Sequence, residues 1–312
     1  MITWIVTPCF NDWDSLRQLL CELKLLITPE STFRVIVVDD GSTTAISNDL
    51  IEALTGFSGI LLTLNTNLGH QRAIAIGLAY VEEHCAGDFV AVVDSDGEDR
   101  PSNIPILTEV AIAHPECIIV ARRTNRAEST KFRIFYLLYK LFFRLLTGQN
   151  LDFGNFQIIP FSQVKRLTHS GALWNHFPAA VMRSKTVLVK VPTSRSKRYF
   201  GASHMNFISL VNHGFNAVAV FLDIVFIRLL VFFGALVAIV VTLISLIGLF
   251  AASDDYSKTW SPIVLLGLLS VALIQAIFTI LATGFLLLSA RSIIPLVPRK
   301  IYKDYIGRVG NS

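Results

Sequence analysis

Two uncharged apolar runs constrain this chain more than any other feature. Residues 229–251 and 263–288 contain no Asp, Glu, Lys or Arg, in a chain of 312 residues of which 16% are charged. As helices, each is long enough to cross a hydrocarbon core of about 30 Å. Runs that are apolar on every face read as membrane spans rather than as one-sided helices of a soluble core. Between them lie Asp254, Asp255 and Lys258, with Tyr256 and Trp260 suited to an interface. Arg228 lies on one side, and Arg291, Arg299, Lys300, Lys303 and Arg308 on the other. Cationic flanks around a short hairpin with no net positive charge place both termini in the cytoplasm. The expected plan is a domain over 1–215, an interfacial lead-in over 216–228, a two-helix anchor over 229–290 and a basic cytosolic tail over 291–312.

The domain ahead of the spans carries its chemistry in residues 90–101, VAVVDSDGEDRP. A branched apolar run of buried-strand type breaks into Asp94, Ser95, Asp96, Gly97, Glu98 and Asp99. Side chains two apart on a strand share a face, so Asp94 and Asp96 present two carboxylates together. Adjacent carboxylates repel unless a cation or a proton joins them. A hard cation with oxygen ligands, Mg²⁺ or Mn²⁺, would do so and could bridge to a substrate's phosphates. A solvated acidic turn is the alternative reading of these residues alone.

In chain order, residues 3–7, 33–38, 60–64 and 89–93 read as short buried strands, and 15–26 and 71–84 as helices between them. A further helix over 105–113 and strands near 118–120 and 187–191 follow. Alternation of this kind predicts an α/β domain with a mostly parallel sheet, which binds ligands beyond the carboxyl ends of its strands. Three polar clusters, at 8–11, 39–42 and 94–99, fall there. Residues 131–147, KFRIFYLLYKLFFRLLT, are too short and too charged to span a bilayer. Arg133, Lys140 and Arg144 fall within about 40° on a helical wheel, which suits a helix lying in a membrane interface. A core helix with snorkelling cations is the alternative. A formal charge of +4 does not suggest nucleic acid. The four cysteines show no paired spacing and read as reduced structural thiols, and the N-terminal stretch lacks a signal-peptide pattern.

The segments IVTPCFND, VVDDGST, NTNLGH and VVDSDGED, in this order, resemble the nucleotide-sugar domain of the family 2 inverting glycosyltransferases across residues 1–125. That resemblance implies a Rossmann-like domain of GT-A type and a UDP- or GDP-sugar donor. It places Pro8, Cys9 and Asn11 around the base and Asp40 on base or ribose. Asp39 either joins them or caps its turn, and Asp94 and Asp96 serve ribose and metal.

The basic segments sharpen the resemblance to the polyprenyl-phosphate glycosyltransferases of that family. Their GxRxxR…E…K pattern is matched by Arg123, Arg126, Glu128 and Lys131, with Ala121 in the glycine position. Their RxxGxSK pattern is matched by Arg198, Gly201 and Ser203, with His204 in place of lysine. A GDFR-like element becomes Gly154-Asn155-Phe156-Gln157, losing both its acid and its arginine. The resemblance implies that Arg123, Arg126, Lys131, Arg198 and Ser203 hold the phosphate of an undecaprenyl or dolichyl acceptor, and that the protein is a homo-oligomer in the bacterial inner membrane. Glu98 or Asp99 would act as base if the acceptor were instead a hydroxyl. A third reading is a non-catalytic membrane partner built on a degenerate transferase domain.

Overall fold

Apolar runs too short to be helices and too buried to be loops become the centre of one sheet. Chain order begins β1 (Ile2–Cys9), α1 (Trp13–Lys24), β2 (Thr32–Asp39), α2 (Asn48–Thr55), β3 (Ile60–Leu64), α3 (His70–His84) and β4 (Phe89–Val92). It continues α4 (Asn103–Ala113), β5 (Ile118–Arg123), α5 (Thr130–Thr147), β6 (Gln157–Pro160), α6 (Phe161–Thr168), α7 (Ala172–Asn175), α8 (Phe177–Arg183), β7 (Leu188–Thr193) and α9 (Phe207–Ala219). The last elements are α10 (Leu222–Ala251), α11 (Ser261–Ser292), α12 (Pro298–Tyr305) and β8 (Ile306–Asn311). This computed structural model describes residues 1–123, 130–201, 207–251, 261–292 and 296–311. They divide into one unit of Met1–Lys140, Asn150–Val220 and Leu296–Ser312, and a second of Leu141–Gln149 and Phe221–Pro295.

The first unit holds an eight-stranded sheet in the order β7-β5-β6-β4-β1-β2-β3-β8. The pairs β1–β2, β1–β4, β2–β3 and β5–β7 are parallel, whereas β6 and β8 pair antiparallel with their neighbours. The sheet is therefore mixed but mostly parallel, with β1 central among the parallel strands. Chain order reverses across β1, since β2 lies on one side and β4 on the other, so their carboxyl ends open a crevice. Leu16, Leu19, Leu20 and Leu23 of α1 cover one face and are buried. On α3, a Cβ at Gly77 would lie 2.6 Å from Val6 Cγ1 and 2.9 Å from Val38 Cγ2, so only glycine lets the helix lie this close to the sheet.

Residues 296–311 are structured as α12 and β8 within the first unit. β8 runs antiparallel along β3 and closes that edge of the sheet. Glu83 of α3 fixes α12: it accepts from Arg299 NH1 at 2.7 Å, from Lys303 Nζ at 2.6 Å and from the Tyr302 hydroxyl.

In the second unit, α10 and α11 pack on each other. Both are long and apolar enough to cross a membrane, and only 11% and 6% of the two candidate stretches are buried, unlike core helices of a soluble protein. α10 starts at Leu222, so Asp223 and Arg228, expected ahead of the span, lie inside one continuous helix. Nothing between Leu222 and Arg228 breaks a helix, and Arg228 NH1 donates to Leu145 O at 3.4 Å, near the end of α5. On α5 itself, Leu137, Leu138, Leu141, Phe142 and Leu145 are exposed, which leaves an apolar face without cover.

Candidate active site

The three polar clusters expected at the strand ends do lie there, and hydrogen bonds join the first two. The Asp40 carboxylate accepts from the backbone N–H groups of Leu68 and Gly69 at 2.8 and 2.9 Å, tying the NTNLG loop to the end of β2. Asp39 Oδ1 accepts from Ser42 N at 2.9 Å, which is the turn-capping role. Asn11 adopts a positive φ of 51°. Its Oδ1 accepts from Thr43 N at 2.9 Å and Thr44 N at 3.1 Å, so the loops after β1 and β2 become one frame. Cys9 packs in the core, where burial pushes its thiol up to about 12, and Pro8 lies beside it in β1. A cavity of about 230 Å³ opens next to this frame, lined by residues that include Asn11, Asp12, Trp13, Arg198 and Phe200.

Beyond β4, Asp94 lies 3.0 Å from His70 Nε2, and Asn155 Nδ2 donates to its two oxygens at 3.3 and 3.5 Å. Asp96 Oδ1 accepts from Glu98 N at 3.0 Å, and Arg198 NH1 lies 3.3 Å from Oδ2. Burial disfavours charge at both carboxylates. At Asp94 it is outweighed by His70, Arg123 and Asn155, which hold the carboxyl at about 2. At Asp96, burial is joined by repulsion from Asp94, and the carboxyl is pushed up to about 6 against the pull of Arg198. At Asp96, where burial and the neighbouring Asp94 both work against charge, a hard divalent cation would offset that repulsion, and a donor set of two carboxylates suits one.

The next two acids have guanidinium partners. Asp99 is 2% exposed and accepts from Arg123 Nε at 3.2 Å and NH2 at 2.7 Å. Glu98 pairs with Arg195. The second contact belongs to a strap, residues 195–200, that lies across the DSDGEDR turn. Ser196 N donates to Glu98 O at 2.8 Å and Tyr199 N to Asp96 O at 2.9 Å. Gly97 has φ +77°, and a Cβ there would lie 2.1 Å from Tyr199 Cε2. Arg100 stacks over the same ring at 5.4 Å.

Of the basic residues expected to hold a phosphate, Arg123 and Arg198 are thus brought to the carboxylate cluster. Arg126 and Ser203 lie outside the described residues, as do Glu128 and His204. Lys131 lies in the first turn of α5, with its side chain likewise outside them. Three residues of the cluster were not expected there. His70, Asn155 and Asp12 carry no spacing signal. His70 and Asn155 lie in segments quoted for the resemblance, NTNLGH and the GDFR-like element, which gave neither residue a role at the site. Asp12 sits at the N-cap of α1 without capping it. Its carboxylate instead meets Arg198.

Comparison with known proteins bears on the family and the fold. The model of Glycosyl transferase family 2 matches residues 4–177. The chain is 26% identical over 312 residues to an undecaprenyl-phosphate 4-deoxy-4-formamido-L-arabinose transferase of Edwardsiella ictaluri, covering 98% of this chain and 89% of that one. It is 24% identical over 321 residues to the transferase of the same description from Sodalis glossinidius, with the same coverage, 98% and 89%. Among solved structures, glucosyl-3-phosphoglycerate synthase from Mycobacterium tuberculosis, in complex with Mn²⁺, UDP and phosphoglyceric acid, superposes with a TM-score of 0.51. That match has 13% identity and covers 72% of this chain and 78% of that one, a likeness of fold.

Proposed function

The chain belongs to glycosyl transferase family 2 and is a glycosyltransferase, and from that premise we propose that it moves a sugar from a UDP- or GDP-sugar to a polyprenyl phosphate at the cytosolic leaflet. The observation that carries this reading is the carboxylate pair Asp94 and Asp96, beside Arg198 at the strand ends, in a chain that also has two exposed apolar helices of spanning length. Support comes from relatives described as undecaprenyl-phosphate transferases, which match over 98% of this chain. The exposed apolar face of α5 would rest in the membrane interface, and both termini would be cytoplasmic.

Asp94 and Asp96 would hold Mg²⁺ or Mn²⁺, which when bound neutralises charge on the donor's diphosphate. His70 and Asn155 keep Asp94 oriented. Asp40, Asp39 and Asn11 shape the donor pocket by fixing its loops, with Pro8 and Cys9 forming its floor. Arg198, with Arg126, Lys131 and Ser203, would hold the acceptor phosphate, since guanidinium forks suit such oxygens. Arg123 gives its fork to Asp99 and so positions the turn after β4. A phosphate monoester is ionised at neutral pH, so its oxygen attacks the sugar C1 without a strong base while the C1–O bond to the nucleoside diphosphate breaks. Single displacement inverts C1, and the protein's tasks are alignment and charge neutralisation.

A hydroxyl acceptor would need a free carboxylate as base. Glu98 and Asp99, the residues expected to serve, are paired with Arg195 and Arg123, which favours the phosphate. The test offers the purified protein undecaprenyl phosphate or undecaprenol with a panel of nucleotide sugars. Sugar on the phosphate only, in a product cleaved by mild acid, is expected; an acid-stable product on the alcohol would overturn the choice of acceptor.

A further inference from the structure

Arg198 stands where two binding events meet. Its side chain is 19% exposed, between Asp12 at 15% and Asp96 at 18%. Nε donates to Phe200 O at 2.9 Å, NH2 faces Asp12, and NH1 faces Asp96 Oδ2 at 3.3 Å. The neighbouring acids already have partners, Asp99 with Arg123 and Glu98 with Arg195. Asp12 and Asp96 therefore share this single guanidinium, which also lines the cavity of about 230 Å³ beside the loop frame.

We propose that Arg198 is the resting counter-ion of Asp96, and that a divalent cation must displace it there before its guanidinium can hold the acceptor phosphate. The inference rests on the transferase reading above. A cation on Asp96 takes over the negative charge that NH1 faces and repels the guanidinium itself. The guanidinium is planar and moves as one body, so NH1 leaves Asp96 by a swing of the whole fork about its contact with Asp12, which does not belong to the cation site. The NH1 edge is then released into the acceptor region, still tethered by Asp12. Before the cation arrives, that edge is engaged and a phosphate meets a site with one guanidinium shared between two carboxylates. Asp12 is in this scheme the positioning residue that keeps Arg198 at the site in both states.

The competition makes two affinities change in opposite directions, which a structural role for Arg198 would not do. The full chain in detergent at pH 8 is titrated with Mn²⁺ in the presence of UDP and without acceptor, using paramagnetic resonance of free Mn²⁺. Arg198→Gln should tighten Mn²⁺ about fivefold or more while Arg198→Lys, which keeps the charge, stays near wild type. In the same variants, undecaprenyl phosphate binding should strengthen on adding UDP and Mn²⁺ for wild type and lose that dependence in Arg198→Gln. Unchanged or weaker Mn²⁺ binding in Arg198→Gln would overturn the inference and leave the transferase reading in place. Failure of every form, wild type included, to bind Mn²⁺ and UDP would remove both.

Discussion

Replacing Arg123 with methionine separates two roles open to the same side chain. Arg123 contributes two hydrogen bonds to Asp99, at 3.2 and 2.7 Å, and Asp99 is 2% exposed. Removing one partner of a buried ion pair costs about 3–5 kcal/mol, because the other charge stays buried and unpaired. A proton can replace the guanidinium. Burial already raises the Asp99 carboxyl above its ordinary value, against the opposing pull of Arg123, and without Arg123 it rises further. A carboxyl raised in the folded state penalises the ionised form, so the variant regains stability as pH falls, by up to about 1.4 kcal/mol per pH unit. The loss in Arg123→Met should therefore be larger at pH 8 than at pH 6. Asp99→Asn combined with Arg123→Met, which leaves no charge, should recover most of it. The assay is the first thermal transition of the purified protein in detergent at the two pH values. A single variant as stable as wild type, with its whole defect in the acceptor KM, would refute the reasoning and return Arg123 to the acceptor site.

Two further perturbations test the strap and the C-terminal clasp. Gly97→Ala sets a methyl 2.1 Å from Tyr199 Cε2 and also forces alanine to φ +77°. The left-handed backbone alone costs about 1–2 kcal/mol, and displacement of the ring should add to it. Donor binding should weaken, and Gly97→Ala/Tyr199→Ala should recover the steric part; equal effects in the single and double variants would contradict the contact. At the clasp, the hydrogen bond from Lys303, then that from Tyr302, holds the Glu83 carboxyl at about 2, below its ordinary 4.5. A depressed carboxyl stabilises the fold above 4.5 and loses that contribution as pH falls toward 2. Amide-exchange protection of residues 296–311, corrected for intrinsic rates, should fall across that window in wild type and be flat in Glu83→Gln. Flat protection in both would show that the clasp does not depend on this charge.

The parallel centre of the sheet was legible because β1, β2 and β4 are near-continuous apolar runs, as strands buried on both faces must be. The edge strand β8 was not. Its sequence, IGRVGN, has neither alternation nor an apolar run. It becomes a strand because β3 offers an open edge, a tertiary fact with no local signature. The same division holds in the site. Residue type and order marked Asp39, Asp40, Asp94, Asp96 and the arginines, yet their partners lie far along the chain. Asp40 bonds 28 residues away, Arg123 bonds 24 away, and Asp12 meets Arg198 across 186. No spacing rule reaches that far. Alternation of strands and helices located the strand ends and so the neighbourhood, while the pairing of each carboxylate with a loop or a guanidinium required the fold.

The most direct test of the account is transfer itself. Purified protein is incubated with undecaprenyl phosphate, Mn²⁺ and a panel of UDP- and GDP-sugars, and the lipid extract is read by mass spectrometry beside Asp96→Asn and a chelated control. The account predicts one glycosyl phosphate lipid in wild type, absent from both controls. An equal yield in Asp96→Asn or under chelation would contradict the assignment of the two carboxylates to a cation-bound donor.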